Sequence, residues 1–221
     1  MAKVGVLLAG CGVYDGSEIG EVVISLIALE RAGMEVQCIA PSMKQMHVMD
    51  HLRGEEQDQE RNVMVEAARI TRGNILDLAE AKVADFDALV IPGGFGVAKN
   101  LCDFAIKGPD CTVNPQVEKL ILGMVDAGKP IAALCIAPAL MARVLGGAGK
   151  KVKLTIGNDA DVSAGINTMG AEHVECAVDD CVVDQDFNVI STPAFMRASC
   201  ISEAATGIEK TISTLAKKLK K

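Results

Sequence analysis

Cys135 is the residue whose position in this sequence most clearly indicates nucleophilic chemistry. It ends an apolar run within AALCIAPAL (132–140), with Ala133 and Ala137 two positions to either side and Pro138 close behind. Small residues around a thiol, where a strand turns into a helix, are typical of a nucleophile elbow. The N–H groups of the following helix would lower the pKa of the thiol, so we predict that Cys135 is the most reactive cysteine. The alternative is plain core packing, because cysteine is a small and easily buried hydrophobe.

Two carboxylates and a glycine pair could supply the other groups that such a nucleophile needs. Glu18 and Glu21 lie three residues apart in a helical pattern, on one face, where either could hold or move a proton beside the thiol. Both also fit the simpler role of first-turn carboxylates favoured by the helix dipole, Glu18 more so. Gly93 and Gly94 let backbone N–H groups approach a developing oxyanion, together with the N–H of Ile136.

Alternating apolar strands and amphipathic helices would position these residues. Strand patterns occupy residues 3–10, 34–41, 86–91, 129–134 and 152–157. Helical patterns occupy residues 17–33, 96–106, 115–128, 137–146 and 196–219, and Ser17 is the expected N-cap of the first. Residues 43–62 and 181–192 are predicted to form small β-hairpin insertions. The alternation predicts an α/β, three-layer sandwich of flavodoxin-like type, with a mostly parallel sheet and helices on both faces, in one domain over residues 1–221.

Three of the predicted strands end in loops of unusual composition. These loops are GCGVYDGSE (10–18), PGGFG (92–96) and CIAP (135–138). Because ligands bind at the carboxyl ends of parallel strands, we expect the three loops to meet in one site. Cys11, on the first loop, is a candidate resolving thiol or pocket wall. His173, in MGAEHVEC, lies near a strand start, where we expect a structural role, with a place in the pocket as the alternative.

Composition and charge exclude several other classes of function. The formal net charge of −7 disfavours a nucleic-acid-binding protein, which needs a basic surface for phosphates. No apolar run is long enough to cross a bilayer, so we expect no membrane partner. The eight cysteines form no C-x-x-C pair and no signal peptide precedes them. We therefore expect reduced thiols and a cytoplasmic location.

The 43–62 hairpin contains the only residues that resemble a metal site. They are His47, Asp50 and His51, but their stretch alternates like a strand and a catalytic zinc needs three placed protein ligands. We expect no metal here, and instead a polar hairpin face or a dimer contact. The hairpin also carries apolar side chains, which predict a homodimer interface: Met43, Met46, Val48, Met49 and Leu52.

Several stretches of the chain are similar to one known group of proteins. The distinctive ones are LLAGCGVYDGSEIGE, HLRGE, EAARITRG, DALVIPGGFG, GKPIAALCIAPA, LTIGND and MGAEHV. They resemble the isoprenoid biosynthesis proteins with an amidotransferase-like domain, also called enhancing lycopene biosynthesis (ElbB-type) proteins, over nearly the whole chain. That group belongs to the PfpI-type, class I glutamine amidotransferase-like superfamily. The resemblance implies that Cys135 is the nucleophile, that Glu21 contacts it, and that Gly94 and Ile136 supply the oxyanion donors.

Two positions depart from the superfamily pattern. Many members have a histidine directly after the nucleophile, where this chain has Ile136. Glutamine amidotransferases have His-Pro-Glu where this chain has Thr192-Pro193-Ala194. Without an imidazole base, glutamine hydrolysis loses its general acid and base, so we expect no glutamine amidotransferase activity.

The resemblance implies a glyoxalase-type lyase that converts glyoxal and water to glycolate. The expected substrate is a small dicarbonyl. No cofactor is expected, because the neighbouring carbonyl already makes the migrating proton acidic. Two alternatives stay open. One is a redox-sensing or protein-repair (deglycase-like) factor that uses Cys135, and the other is a non-catalytic metabolite-binding protein that affects isoprenoid biosynthesis.

Overall fold

A seven-stranded sheet is the centre of the fold in the computed structural model, which describes residues 1–220. The strands, in chain order, are β1 (Lys3–Leu7), β2 (Glu35–Ala40), β3 (Met49–Asp50), β4 (Glu55–Glu56), β5 (Leu76–Asp77), β6 (Ala88–Ile91), β7 (Ile131–Leu134), β8 (Lys153–Leu154), β9 (Glu172–His173), β10 (Val182–Asp184) and β11 (Val189–Thr192). The main sheet has the order β10-β11-β7-β6-β1-β2-β5. All neighbours in it are parallel except β10 and β11, which confirms the predicted mostly parallel sheet.

Helices cover both faces of this sheet. They are α1 (Ile19–Arg31), α2 (Val63–Ile70), α3 (Phe104–Lys107), α4 (Pro115–Asp126), α5 (Ala137–Gly147), α6 (Ala160–Thr168) and α7 (Ile201–Leu219). Apolar residues of α1, α2 and α7 pack against one face of the sheet, and those of α4, α5 and α6 pack against the other. The predicted three-layer, flavodoxin-like α/β sandwich is confirmed.

Burial on both faces explains the continuous apolar runs of the central strands. β6 reads ALVI and β7 reads IAAL, and all eight residues are fully buried. In β6, Leu89 and Ile91 point to one core cluster, while Ala88 and Val90 point to the other. The carboxyl ends of these two strands are therefore held rigidly at the middle of one sheet edge.

Both predicted hairpins are present. β3 pairs antiparallel with β4, and β10 pairs antiparallel with β11. Leu52, in the turn of the first hairpin, is 93% exposed. The homodimer that we predict from this apolar hairpin stays a prediction, as does the single domain over residues 1–221.

Residues 96–106 do not form one helix. They divide into a π-helical turn (Val97–Leu101) and α3. In the π-helical turn, the buried side chain of Asn100 donates from Nδ2 to the carbonyls of Ala9 and Asp15, both at 2.9 Å. This segment therefore ties the loop after β6 to the loop after β1, a long-range contact that helical periodicity does not reveal.

The predicted strand at 152–157 contributes only β8, which pairs with β9 outside the main sheet. The N–H groups of Lys153 and Thr155 donate to the side chains of Asp184 and Ser191, and not to the backbone of a sheet strand. The last helix begins at Ile201 and not at residue 196, because Ala194–Met196 form a 3₁₀ turn. Among the helices of residues 1–220, none has the length and apolarity that spanning a bilayer requires.

Candidate active site

Cys135 lies on a strained turn between β7 and α5. Its φ of +59° is in the left-handed region, which a residue with a side chain rarely adopts. Its N–H donates to the carbonyl of Thr192 at 3.0 Å, and Ile136 follows as the N-cap of α5. The residue is buried, with 7% of its surface exposed. Strained backbone of this kind clusters at functional sites, and the turn has the geometry of the predicted elbow.

Glu21 faces the thiol from the first turn of α1 and is completely buried. Its Oε2 accepts a hydrogen bond from the N–H of Gly93 at 2.7 Å, and its Oε1 accepts one from the N–H of Phe195 at 3.3 Å. The thiol of Cys135 lies beside the same carboxyl group, close enough for each group to shift the pKa of the other. Two backbone donors and the thiol therefore converge on one carboxylate.

Burial dominates the protonation of this pair. Burial and, to a smaller extent, the nearby charge of Glu18 raise the pKa of Glu21 to about 7, although the hydrogen bonds from Gly93 and Phe195 act to lower it. Burial and the Glu21 carboxylate hold the pKa of Cys135 well above its ordinary value, although the N–H groups of Gly94 and Ile136 act to lower it. Near neutral pH the thiol therefore keeps its proton beside the Glu21 carboxyl group.

The raised pKa of Cys135 contradicts the prediction that the helix N-terminus lowers it. The helix N–H groups are present, but desolvation of the thiol and its carboxylate neighbour outweigh them. Cys200 is the exposed cysteine, and hydrogen bonding from Ser202 lowers the pKa of its thiol. The sequence pattern around Cys135 identifies the elbow but contains no measure of how deeply the thiol is buried.

The two glycines after β6 leave room for this pair. A Cβ at Gly93 would lie 2.5 Å from the Cβ of Cys135 and 2.9 Å from Oε2 of Glu21. A Cβ at Gly94, whose φ is +94°, would lie 2.4 Å from the backbone nitrogen of Glu18. Both glycines are therefore needed for close approach of the backbone, as predicted, and not only for a turn.

The three predicted loops do meet. The N–H of Glu18 donates to the carbonyl of Gly93 at 3.0 Å, and the N–H of Phe95 donates to the carbonyl of Val13 at 2.7 Å. The predicted N-cap is displaced by one residue. The hydroxyl of Ser17 accepts from the N–H of Ala9, while Glu18 caps α1 by accepting from the N–H of Glu21 at 2.6 Å.

A fourth loop completes the site, and the sequence analysis did not identify it. Phe195 donates its N–H to Glu21 from the loop after β11, where Ala194 has a φ of +44°. In the sequence, this segment stands out only because Thr192-Pro193-Ala194 lacks a histidine. One signal could have located it, because an apolar strand ends just before it. That strand, β11, lies beside β7 and ends at the same edge of the sheet.

The two remaining candidates lie in other surroundings. Burial raises the pKa of the Cys11 thiol, and the charges that act on it are those of Glu66 and Arg69 in α2 and of Asp15 and Arg61. The Nε2 of His173 accepts from the N–H of Ile156 at 3.4 Å and contacts the hydroxyl of Ser163 at 3.3 Å. His173 therefore links β9 to α6, in the structural role that we expected.

Of the residues considered for a metal, His51 packs against the loop after β1. The ring of His51 stacks on Tyr14, and its Nε2 accepts from the N–H of Tyr14 at 3.2 Å. Within residues 1–220, no group of three or more His, Cys, Asp or Glu side chains could hold a metal ion.

Known proteins share the sequence pattern and the fold of this chain. The sequence pattern of the DJ-1/PfpI family matches residues 6–198. This chain belongs to the DJ-1/PfpI family. A human protein named glutamine amidotransferase-like class 1 domain-containing protein 3, mitochondrial, is 45% identical over 217 residues, which cover 94% of this chain and 80% of the relative. The rat protein named ES1 protein homolog, mitochondrial, is 45% identical over 205 residues, which cover 88% of this chain and 76% of the relative.

A solved structure is also similar to this chain over nearly the whole length of both. It is an isoprenoid biosynthesis protein with an amidotransferase-like domain from Ehrlichia chaffeensis. The TM-score is 0.91 at 37% sequence identity, and the match covers 98% of this chain and 99% of that chain. The comparison confirms the amidotransferase-like fold, whereas the curated relatives have ES1 and glutamine amidotransferase-like names.

The predicted cytoplasmic location is wrong by the same comparison, because both curated DJ-1/PfpI relatives are named as mitochondrial proteins. The prediction depended on cysteines without a C-x-x-C pair and on the lack of a predicted signal peptide. Unpaired cysteines indicate a reducing environment, which does not specify the compartment.

Proposed function

We propose that this protein is a cofactor-independent, cysteine-dependent enzyme that converts small dicarbonyls such as glyoxal to hydroxy acids such as glycolate. Members of the DJ-1/PfpI family are often cysteine-dependent enzymes. The observation that carries the proposal is the buried pair of the Cys135 thiol and the Glu21 carboxyl group, which both lie against Gly93 and shift each other's pKa. The likeness to the isoprenoid biosynthesis protein supports the narrower assignment to the ElbB-type group.

The first step uses the thiol proton of Cys135. As the sulfur of Cys135 attacks the aldehyde carbon of glyoxal, the thiol proton passes to the Glu21 carboxylate. The carbonyl oxygen becomes an alkoxide beside the N–H groups of Gly94 and Ile136, and then takes the proton from Glu21 to give a hemithioacetal. A thiol with a high pKa suits this step, because its proton leaves only when the carbon–sulfur bond forms.

The second step moves a proton between the two carbons. Glu21, again ionised, removes the hydrogen of the carbon bound to sulfur, and the electron pair moves onto the neighbouring carbonyl oxygen to give an enediolate. Glu21 returns this proton to the second carbon, and the hydroxyl proton of the first carbon passes to the second oxygen, which gives the glycolyl thioester of Cys135. Water, with Glu21 as general base, hydrolyses the thioester to glycolate and restores the thiol. One glyoxal and one water give one glycolic acid, with no net oxidation.

Two features disfavour a redox sensor. Sensor cysteines are low-pKa and accessible thiols, whereas Cys135 is 7% exposed and its pKa is raised. A non-catalytic binding protein would have no need of a buried carboxylate whose pKa is near neutrality.

The direct test is product formation without added cofactors. Purified protein should convert glyoxal to glycolate and methylglyoxal to lactate, and should release no ammonia from glutamine. Cys135→Ser should abolish both conversions, while Cys38→Ser, a matched change at a buried thiol in β2, should retain them. Hydroxy acid formation that survives Cys135→Ser, or wild-type protein without turnover, would reject the proposed function.

A further inference from the structure

Glu18 is the partly exposed carboxylate beside the buried pair. Its backbone N–H contacts Gly93, and its Oε2 accepts from the N–H of Glu21 at 2.6 Å. A Cβ on Gly20, between the two glutamates, would lie 3.0 Å from Oε2 of Glu18 and 3.5 Å from the ring of Phe195. Glu18 and Phe195 therefore border the first turn of α1 where it reaches Cys135.

The negative charge at this position is not neutralised by an ion pair. Within residues 1–220, neither Glu18 nor Glu21 forms a salt bridge. The cations on the neighbouring loops are bound elsewhere. Lys99 donates to the carbonyl of Tyr14 at 2.9 Å, and Arg197 donates to the carbonyl of Cys176 at 2.9 Å.

Glu18 is partly exposed and close enough to Glu21 to raise its pKa, so a reactant that reaches the Cys135–Glu21 pair comes near a carboxylate without a counter-ion. Repulsion between two like charges a few ångströms apart is weak in bulk water but several-fold stronger at a partly buried site. A neutral carbonyl compound does not experience this repulsion, whereas a compound with a carboxylate or phosphate group does.

We propose that Glu18 determines the charge selectivity of the site, so that Cys135 reacts with neutral small molecules and rejects anionic ones. This inference deepens the proposed function, on which it rests for the identity of the substrate as a dicarbonyl. It assigns Glu18 a role in specificity in addition to capping α1. The reactive set would then include glyoxal and methylglyoxal, and exclude carbonyl compounds that carry an acid group.

Alkylation by two reagents that differ in charge tests this role without any turnover. In both cases the Cys135 thiolate displaces iodide and forms a carbon–sulfur bond. Iodoacetamide is neutral and iodoacetate is an anion of nearly the same size. The ratio of the two alkylation rates at Cys135 is measured by peptide mapping, with exposed Cys200 in the same digest as the internal reference. We expect this ratio to be at least about threefold higher at Cys135 than at Cys200.

Substitutions at Glu18 separate its charge from its capping role. Glu18→Asp and Glu18→Asn are matched, because both residues are good N-caps and only aspartate is charged. We expect Glu18→Asn to lower the rate ratio at Cys135 about three- to tenfold, and Glu18→Asp to leave it within about twofold. Glu30→Gln, an exposed change on the same helix, should leave the ratio unchanged and excludes an effect of net charge alone.

An unchanged ratio at Cys135 in Glu18→Asn, with the helix intact by circular dichroism, would overturn the proposal. Loss of charge discrimination in Glu18→Asp as well as in Glu18→Asn would overturn it too, because capping geometry would then be responsible. Since alkylation needs no dicarbonyl chemistry, a protein without glyoxal turnover could still discriminate between the reagents. If the enzyme converts glyoxal but the rate ratios at Cys135 and Cys200 are equal, the role of Glu18 is rejected and the proposed function stands.

Discussion

A methyl group on Gly93 would stand 2.5 Å from the Cβ of Cys135, so the loop after β6 and the elbow after β7 touch without space between them. The same methyl group would be 2.9 Å from Oε2 of Glu21. Gly93→Ala should therefore separate the thiol from its carboxylate partner. We expect turnover of glyoxal to fall by about 10² or more, the usual cost of a misplacement near 1 Å.

Gly147→Ala is the matched control for this substitution. A Cβ at Gly147, at the end of α5, would have no neighbour within 4 Å. That variant should keep wild-type turnover. Gly93→Ala with wild-type kcat/KM would show that the close approach of the two loops has no catalytic value.

The activity should depend on pH through Glu21. Its carboxyl must be ionised to accept the thiol proton, and burial raises its pKa to about 7. We expect kcat/KM for glyoxal to rise as the pH increases through about 7, following a single ionisation. The profile is measured with wild-type protein under constant ionic strength. A flat profile, or activity that declines as the pH passes upward through 7, would contradict the role of Glu21 as base.

The same carboxyl should make the free energy of unfolding depend on pH. Its pKa is about 7 in the folded protein against an ordinary value of 4.5, so the folded state holds a proton that the unfolded chain releases between these values. The stabilising effect is fully present below 4.5 and is lost as the pH rises through 7, by about 3 kcal/mol in total.

Urea unfolding of wild type and Glu21→Gln below 4.5 and above 7 measures this loss. The variant should lack this part of the pH dependence and should gain stability relative to wild type at the higher pH. Glu30→Gln, at an exposed position, should behave as wild type. Equal pH dependence in wild type and Glu21→Gln would mean that Glu21 ionises at its ordinary pKa in the folded protein.

Limiting iodoacetamide should label Cys200 before Cys135. Cys200 is exposed and its thiol pKa is lowered, whereas Cys135 is buried beside a carboxylate. Peptide mapping of a time course at neutral pH measures the order. Labelling of Cys135 ahead of Cys200 would restore the sequence-based prediction of an activated thiolate at the elbow.

Sequence patterns locate the site because a parallel sheet brings its carboxyl ends together. The runs before Gly10, Pro92 and Cys135 identify three neighbouring strands, and their loops could only converge. Gly93 and Gly94 are recognisable for the same reason, since two glycines at a strand end indicate close approach of the backbone.

The parts that sequence patterns miss depend on tertiary contacts. Phe195 reaches Glu21 only because Ala194 adopts a left-handed conformation that no sequence period reveals. The inward turn of Asn100 and the burial of the Cys135 thiol are likewise set by packing of distant segments. The direction of the Cys135 pKa follows from that burial, so the helix N-terminus alone gives the wrong sign.

The most direct test of the account compares alkylation and turnover in Glu21→Gln. Removing the carboxylate removes one of the causes that hold the pKa of Cys135 high, so alkylation of Cys135 by iodoacetamide should be as fast as in wild type or faster. Turnover of glyoxal should fall by about 10²–10⁴, the usual contribution of a general base. Unchanged or faster alkylation together with slower turnover is the result we expect. Glyoxal turnover that survives Glu21→Gln would contradict the central claim that Glu21 carries the proton for Cys135.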